Sequence, residues 1–186
     1  ALPISESGFN VFVDTPRPES ESAKHGGAFR QSWGVQLIEL QKYAENGDES
    51  RIHFNSREGH IPSADELQKL GIKLFVGVGH ETTGATTYAE EDVRNLLEWI
   101  DLDPVNHHAV IDATSTLGAM PWAEDIVQQV VGKCSLFMPF QKAIGGTAGY
   151  FIVSFTPEAL ALVEKNVNNP AWAIPRQLKL ALPADR

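Results

Sequence analysis

The sequence predicts an α/β fold: an open, mostly parallel sheet with helices on both faces, in three layers (αβα). Two observations carry that prediction. From Lys73 onward the pattern of apolar residues runs strand, helix, strand, helix, strand, strand, helix, and such alternation builds a parallel sheet covered on both sides. The strand runs are continuously apolar, as in Leu74-Phe75-Val76-Gly77-Val78. Strands buried on both faces read this way, whereas half-exposed strands alternate.

The elements follow in order. Residues 14–27 are polar, hold Pro16 and Pro18, and predict a loop. Trp33, Leu37, Leu40 and Ala44 recur at three- and four-residue steps, which predicts a helix over Ser32 to Glu45, stopped by Asn46-Gly47-Asp48. Residues 51–55 suit a short strand. Ser63-Ala64-Asp65-Glu66 has capping-box spacing ahead of Leu67 and Leu70, so a short helix begins there. Residues 73–78 predict a buried strand, followed by the polar stretch Gly79-His80-Glu81-Thr82-Thr83-Gly84. Val93, Leu96, Leu97 and Ile100 form one face of a helix over 89–100. Residues 108–112 predict a strand, 121–131 a helix with Pro121 in its first turn, and 135–140 a strand. A second strand over 149–155 pairs with it through a glycine-rich turn, and Thr156-Pro157-Glu158 opens a last helix with Leu160, Val163 and Val167 as its stripe.

Composition narrows the function. Of 186 residues, 42% are hydrophobic and 21% charged, the balance of an ordinary globular domain. The net charge of −9 argues against a nucleic-acid partner, because phosphate binding needs a basic face. The single cysteine, Cys134, forms no intrachain disulfide and reads as a small core residue, so a reducing, cytoplasmic setting is expected. No apolar run approaches the ~20 residues of a membrane span, and the first residues lack the charged and apolar regions of a signal peptide. His107 and His108 are adjacent and would point to opposite sides of a strand, so no metal site is expected. Glu81 and Glu124 read most simply as solvent-facing or capping.

The residues that carry chemistry sit where ligands bind in such sheets, just outside the carboxyl ends of the strands. Gln141-Lys142 follows the apolar run Leu136 to Phe140 and precedes Gly145-Gly146-Thr147-Ala148-Gly149. A lysine in a closed, partly dry pocket there loses stability as an ammonium, and its neutral amine can form a Schiff base. Asp112 ends another apolar run. A lysine and an aspartate on two strand ends are what pyridoxal 5'-phosphate requires, one to hold its aldehyde and one to keep its ring nitrogen protonated.

Three stretches give the chain a family resemblance: Glu81-Thr82-Thr83-Gly84, Ile111-Asp112-Ala113-Thr114-Ser115 and Phe140-Gln141-Lys142-Ala143-Ile144-Gly145-Gly146. With these, the sequence resembles the class V aminotransferase group of fold-type I pyridoxal-phosphate enzymes, and within it the phosphoserine aminotransferases. Gly26-Gly27-Ala28-Phe29 and Pro170-Ala171-Trp172-Ala173-Ile174-Pro175 add weaker likeness. The resemblance implies that Lys142 forms the Schiff base and shuttles a proton, that Asp112 pairs with the pyridinium nitrogen, and that Thr82 bonds the phenolic oxygen. It also implies that Phe29 stacks on the ring, that Gln141 contacts the cofactor near its phosphate, and that Ser115 or Thr114 helps orient the site. Simpler readings stay open: Phe29 as a core residue beside Trp33, Thr82 as a cap of the next helix, Gln141 as a partner for a loop carbonyl.

The resemblance divides the chain into an irregular segment (1–24), the central part of a fold-type I large, cofactor-binding domain (25–170), and a linker toward a small domain (171–186). It implies serine biosynthesis, amino-acid and 2-oxo-acid substrates and a homodimer, with no membrane partner. The phosphate turn, the substrate-carboxylate arginine and the Asn-Thr segment expected of a complete member have no match here. Three functions therefore compete: phosphoserine:2-oxoglutarate transamination, a serine–pyruvate or alanine–glyoxylate type of transamination on the same lysine and aspartate, and a non-catalytic αβ oligomerisation module.

Overall fold

The structure is a computed structural model that describes residues 10–15, 33–38, 51–55, 59–116, 118, 121–142 and 144–167. Its main sheet has six strands: β1 (Asn10–Val13), β2 (Ile52–Phe54), β3 (Ile72–Val78), β6 (His108–Asp112), β7 (Ser135–Pro139) and β8 (Phe151–Ser154). They lie in the order β2-β1-β3-β6-β7-β8. All pairings are parallel except β7 with β8. The short strands β4 (His80–Glu81) and β5 (Thr86–Thr87) form a separate antiparallel hairpin. Four helices are bounded as α1 (Ala64–Lys69), α2 (Glu90–Leu102), α3 (Glu124–Lys133) and α4 (Pro157–Val167), and residues 33–38 are also helical.

Two separate apolar clusters establish the layers. On one face Phe12, Phe75, Ala109, Ile111 and Leu136 of the sheet pack with Leu67 of α1, Val93, Leu96, Trp99 and Ile100 of α2, and Ile126 and Val130 of α3. On the other, Val11, Val13, Ile52 and Val76 pack with Ile38, Trp33 and Leu37 of the helical segment. Neighbours in a strand point to opposite faces, so Val11-Phe12-Val13 and Phe75-Val76 feed both clusters at once. This is why the strand runs are unbroken in the sequence.

Local signals hold where they are chemically specific. Ser63 and Glu66 complete the capping box of α1: Glu66 N–H donates to Ser63 Oγ (3.3 Å) and Ser63 N–H to Glu66 Oε2 (3.0 Å). Thr156 Oγ1 accepts from Ala159 N–H (3.2 Å) at the start of α4. Three expectations change. Residues 1–24 are expected to be irregular, yet β1 lies inside them and pairs on both sides, with β2 and β3; its partners are distant in sequence. The polar stretch after β3, where no strand is expected, opens a hairpin of β4 with β5. Finally, α3 starts at Glu124, not at Pro121, because Trp122 is buried with its indole N–H donating to Tyr88 O (2.9 Å), and Ala123 N–H donates to Glu90 Oε2 (3.2 Å). Those contacts hold 121–123 against α2. The segments 39–45, 46–50 and 170–186 lie outside the described residues. Among the described residues no helix is long and apolar enough to cross a membrane.

Gly77 shows how tightly β3 is packed. A Cβ there would collide with the Tyr88 hydroxyl and lie 2.7 Å from Phe75 Cε1. Both rings are fixed in the core, so Gly77→Ala is expected to destabilise the fold by about 1–3 kcal/mol as overpacking does. Urea denaturation would measure it, and an unchanged midpoint would contradict the packing described.

His108 is buried at the start of β6, and its Nε2 has no hydrogen-bond partner among the described residues. Burial lowers its pKa below the ordinary 6.5, outweighing the Val105 backbone and the charge of Glu158, which pull the other way. His53 is shifted in the same direction by burial. Below about pH 6.5 the unfolded chain therefore binds protons that the folded chain does not, so stability falls as pH falls through that value and is retained above it. Denaturation midpoints should drop between about pH 8 and pH 5.5, and the drop should shrink in His108→Gln.

Candidate functional site

Register brings the site together. Val78 lies opposite Asp112 and Asp112 opposite Phe137, so the carboxyl ends of β3, β6 and β7 share one edge. Gly79 N–H donates to Asp112 O (3.0 Å) and Ala113 N–H to Phe137 O (2.8 Å), which extends the pairing past the strands.

Asp112 is the centre of this edge and is only 5% exposed. Its Oδ1 accepts from Thr114 N–H (2.9 Å) and from the Thr114 hydroxyl, a local Asx-type turn that an Asp two residues before a Thr supplies by itself. Its Oδ2 accepts from the indole N–H of Trp33 (3.0 Å), which reaches over from the helical residues 33–38. A carboxylate left in an apolar edge without such donors would be costly; here three donors meet it.

Beside Asp112 is a cleft of about 420 Å³, walled by Trp33, Thr114, Phe137, Gln141, Tyr150 and Phe151 among others. Trp33 meets Phe137 edge-on with ring centres 6.3 Å apart, and Phe137 lies 5.4 Å from Phe151. Among the described residues lining it, Asp112 is the one charged side chain. The turn from β7 to β8 forms the rim. Phe140 N–H donates to Tyr150 O (3.0 Å), Gly146 N–H to Phe140 O (2.8 Å) and Gly145 N–H to Lys142 O (2.9 Å). Gly145 (φ +70°) and Gly149 (φ +97°) lie in the left-handed region, which accounts for glycine at both positions.

The structure distributes the expected site residues unevenly. Asp112 and Gln141 line the same cleft. Lys142, next to Gln141 on the rim, is exposed and is not among the lining residues. Thr82 is exposed at the first turn position of the β4–β5 hairpin, and Ser115 is half-buried in the turn after β6; neither lines the cleft. Phe29 lies outside the described residues. Glu81, expected to face solvent or cap a helix, is fully buried: its Oε1 accepts from Thr83 N–H (2.9 Å) within the hairpin turn. Cys134 is buried and its thiol is pushed up to about 12 by desolvation, so it is no nucleophile. His107 is stacked on Trp99 with ring centres 4.5 Å apart and its Nδ1 pairs with Trp99 O (2.6 Å). Among the described residues no group of three or more His, Cys, Asp or Glu is arranged to hold a metal ion.

Three contributors are not singled out by the sequence. Trp33 reads there as part of a helical apolar stripe. Tyr150 and Phe151 read as ordinary strand residues. Together with Asp112 they make a cleft suited to a flat heteroaromatic cation carrying an N–H donor. The aromatic walls accept its faces. On Asp112, Oδ1 already has two donors and Oδ2 one, which leaves a lone pair on Oδ2 for the ligand. A protonated pyridine ring such as that of pyridoxal phosphate meets those requirements.

No family model matches the chain, and no curated protein matches it. Solved structures do. A pyridoxal-phosphate-bound protein from Clostridium difficile, described as an aminotransferase, is 10% identical with a TM-score of 0.50, over 88% of this chain and 40% of that one. A C-S lyase from Staphylococcus hominis is 11% identical (TM-score 0.48; 90% of this chain, 41% of that one). A phosphoserine aminotransferase from Cytophaga hutchinsonii is 16% identical (TM-score 0.45; 72% and 33%). The chain thus spans between 33% and 41% of the length of these structures. At such identities the likeness to the Clostridium protein shows the fold alone, and that fold, an α/β domain built on a mostly parallel sheet, is the expected one.

Proposed function

We propose that this chain is the central part of the cofactor domain of a pyridoxal-5'-phosphate-dependent aminotransferase, acting on 3-phosphoserine and 2-oxoglutarate. The observation that carries the reading is the buried carboxylate of Asp112 in an aromatic-walled cleft, with the Gln141-Lys142 turn on its rim. The Clostridium structure adds support, since it shares the fold and is pyridoxal-phosphate-bound.

When bound, the cofactor supplies an electron sink for negative charge at the substrate Cα. Asp112 would keep the ring nitrogen protonated by accepting its N–H. Lys142 would hold the aldehyde and, once released, move the proton at Cα through Nζ. Thr82 would donate to the phenolic oxygen, Phe29 would cover one ring face, Gln141 would contact the phosphate end, and Ser115 would help orient the turn after β6. In this reading the complete protein is a cytoplasmic homodimer in serine biosynthesis, with small amino-acid and 2-oxo-acid substrates.

The test is covalent capture. The chain is incubated with pyridoxal phosphate, reduced with borohydride and digested. The label is expected on Lys142 and should vanish in Lys142→Ala. Scattered labelling of surface lysines, equal in both proteins, would support the inert αβ module instead. Half-reaction spectra separate the transaminases: phosphoserine should convert the bound cofactor faster than alanine does, and the reverse order would favour the serine–pyruvate or alanine–glyoxylate type.

A further inference from the structure

We propose that Trp33 is a positioning residue for Asp112: its indole N–H fixes the carboxylate so that one lone pair of Oδ2 is the acceptor that the cleft offers to a cationic N–H donor. The identity of that donor rests on the function proposed above; the coupling of the two side chains does not.

The argument begins with what Thr114 can and cannot do. Its N–H and hydroxyl both bind Oδ1. Both donors come from one residue, two positions along the chain, and hold one oxygen. A carboxylate held at one oxygen can still rock through coupled changes of χ1 and of the broad, soft Cβ–Cγ torsion. Oδ2, farther from the Thr114 anchor, would then shift at the cleft mouth. The Trp33 N–H, 3.0 Å from Oδ2, comes from the helical segment packed on the sheet, 79 residues away in sequence. Two oxygens held from two directions define the carboxylate plane.

The indole is itself held. Its ring meets Phe137 edge-on, and the segment that carries it is anchored by Ile38, which is 5% exposed among Val11, Val13, Ile52 and Val76. The bond joins a ring N–H to an ionised acceptor in a shielded place, the kind that is stronger than a neutral pair. Trp33 is also a wall of the same cleft, so its ring and its N–H act on one ligand in different ways. Replacing the indole by phenylalanine removes the N–H and keeps an aromatic, though smaller, wall.

The experiment uses the 186-residue chain and two kinds of readout. In the protein alone, the indole N–H resonance of Trp33, assigned by its loss in Trp33→Phe, should exchange slowly with solvent and shift markedly in Asp112→Asn. In titrations with pyridoxal phosphate followed by absorbance, Trp33→Phe should weaken binding about tenfold, the loss of one hydrogen bond to a charged group. In an Asp112→Asn background the same change should have little further effect, and the pH dependence of the bound cofactor's spectrum should move with Trp33→Phe. An indole resonance indifferent to Asp112, or a Trp33→Phe effect of the same size with and without the carboxylate, would overturn the proposal. Should Trp33→Phe fail to fold, the resonance is assigned instead by triple-resonance and NOE spectra of the wild-type chain, and its exchange rate and Asp112→Asn shift still decide the matter. Should pyridoxal phosphate not bind at all, the functional reading fails while the resonance test still answers for Trp33.

Discussion

Asp112→Ala is expected to lower the stability of the fold by about 2–3 kcal/mol and, within the proposed function, to slow transamination by roughly 10²–10³-fold. The stability term comes from the donors left behind. Thr114 N–H and hydroxyl lose their acceptor in a nearly closed turn, and the Trp33 N–H loses its own. Each unpaired buried donor costs about 1–3 kcal/mol, but water from the cleft can reach the Trp33 side, which keeps the sum at the low end. The rate term is that of removing one preorganised charge from a site where charge develops. Asp112→Asn separates the two. It leaves an acceptor oxygen for Thr114, so most of the stability should return, whereas the negative charge, and with it the rate, should not. Urea denaturation and single-turnover kinetics read these terms independently. An Asp112→Ala chain as stable as the parent would show that the three hydrogen bonds are not formed in solution.

What was legible in the sequence divides along a physical line. Elements declared by their own residues were readable. Ser63 and Glu66 announce α1 because both halves of the capping box lie within four residues. Asp112 stands out because a charge ends an apolar run, and its local partner Thr114 is two residues on. Elements that exist only through distant partners were not. Val11-Phe12-Val13 is too short to carry a period, and becomes β1 only between β2 and β3. Glu81 looks like a surface residue until the hairpin turn supplies Thr83 N–H and burial closes over it. Trp33 fits a helical stripe completely, and nothing local says that its N–H reaches Asp112. The fold follows from periodicity and topology, whereas the partners of each polar atom in the site depend on contacts across many residues. Lys142 is different again: the sequence pattern suggests a closed, partly dry pocket for it, whereas the structure has it exposed on the rim, so its role rests on the family resemblance.

The second large effect lies beside the site rather than in it. Asp14 follows β1 and is 1% exposed. Its Oδ2 accepts from the Tyr88 hydroxyl (2.6 Å), and its Oδ1 from Asn55 Nδ2 (2.7 Å) and, more distantly, Gly59 N–H (3.4 Å). Asn55 follows β2 and also donates to His60 O (2.7 Å), while Tyr88 precedes α2. One carboxylate therefore ties together the ends of two strands and the entry to a helix that share no local sequence. Asp14→Ala removes the acceptor and strands neutral buried donors on both sides, and the expected cost is about 3–5 kcal/mol, from two or three unpaired donors at about 1–3 kcal/mol each. For a chain of this length that is a melting temperature lower by roughly 6–20 °C. Tyr88→Phe removes a single donor and should cost about 1–2 kcal/mol. Because the two side chains share a bond, the double variant should cost less than the sum of the singles, a coupling expected only between partners in contact. Additive effects would mean that Tyr88 and Asp14 stabilise the fold separately. The tie would then not be what holds β1 in register with β3, where Asp14 N–H meets Val76 O at 3.0 Å.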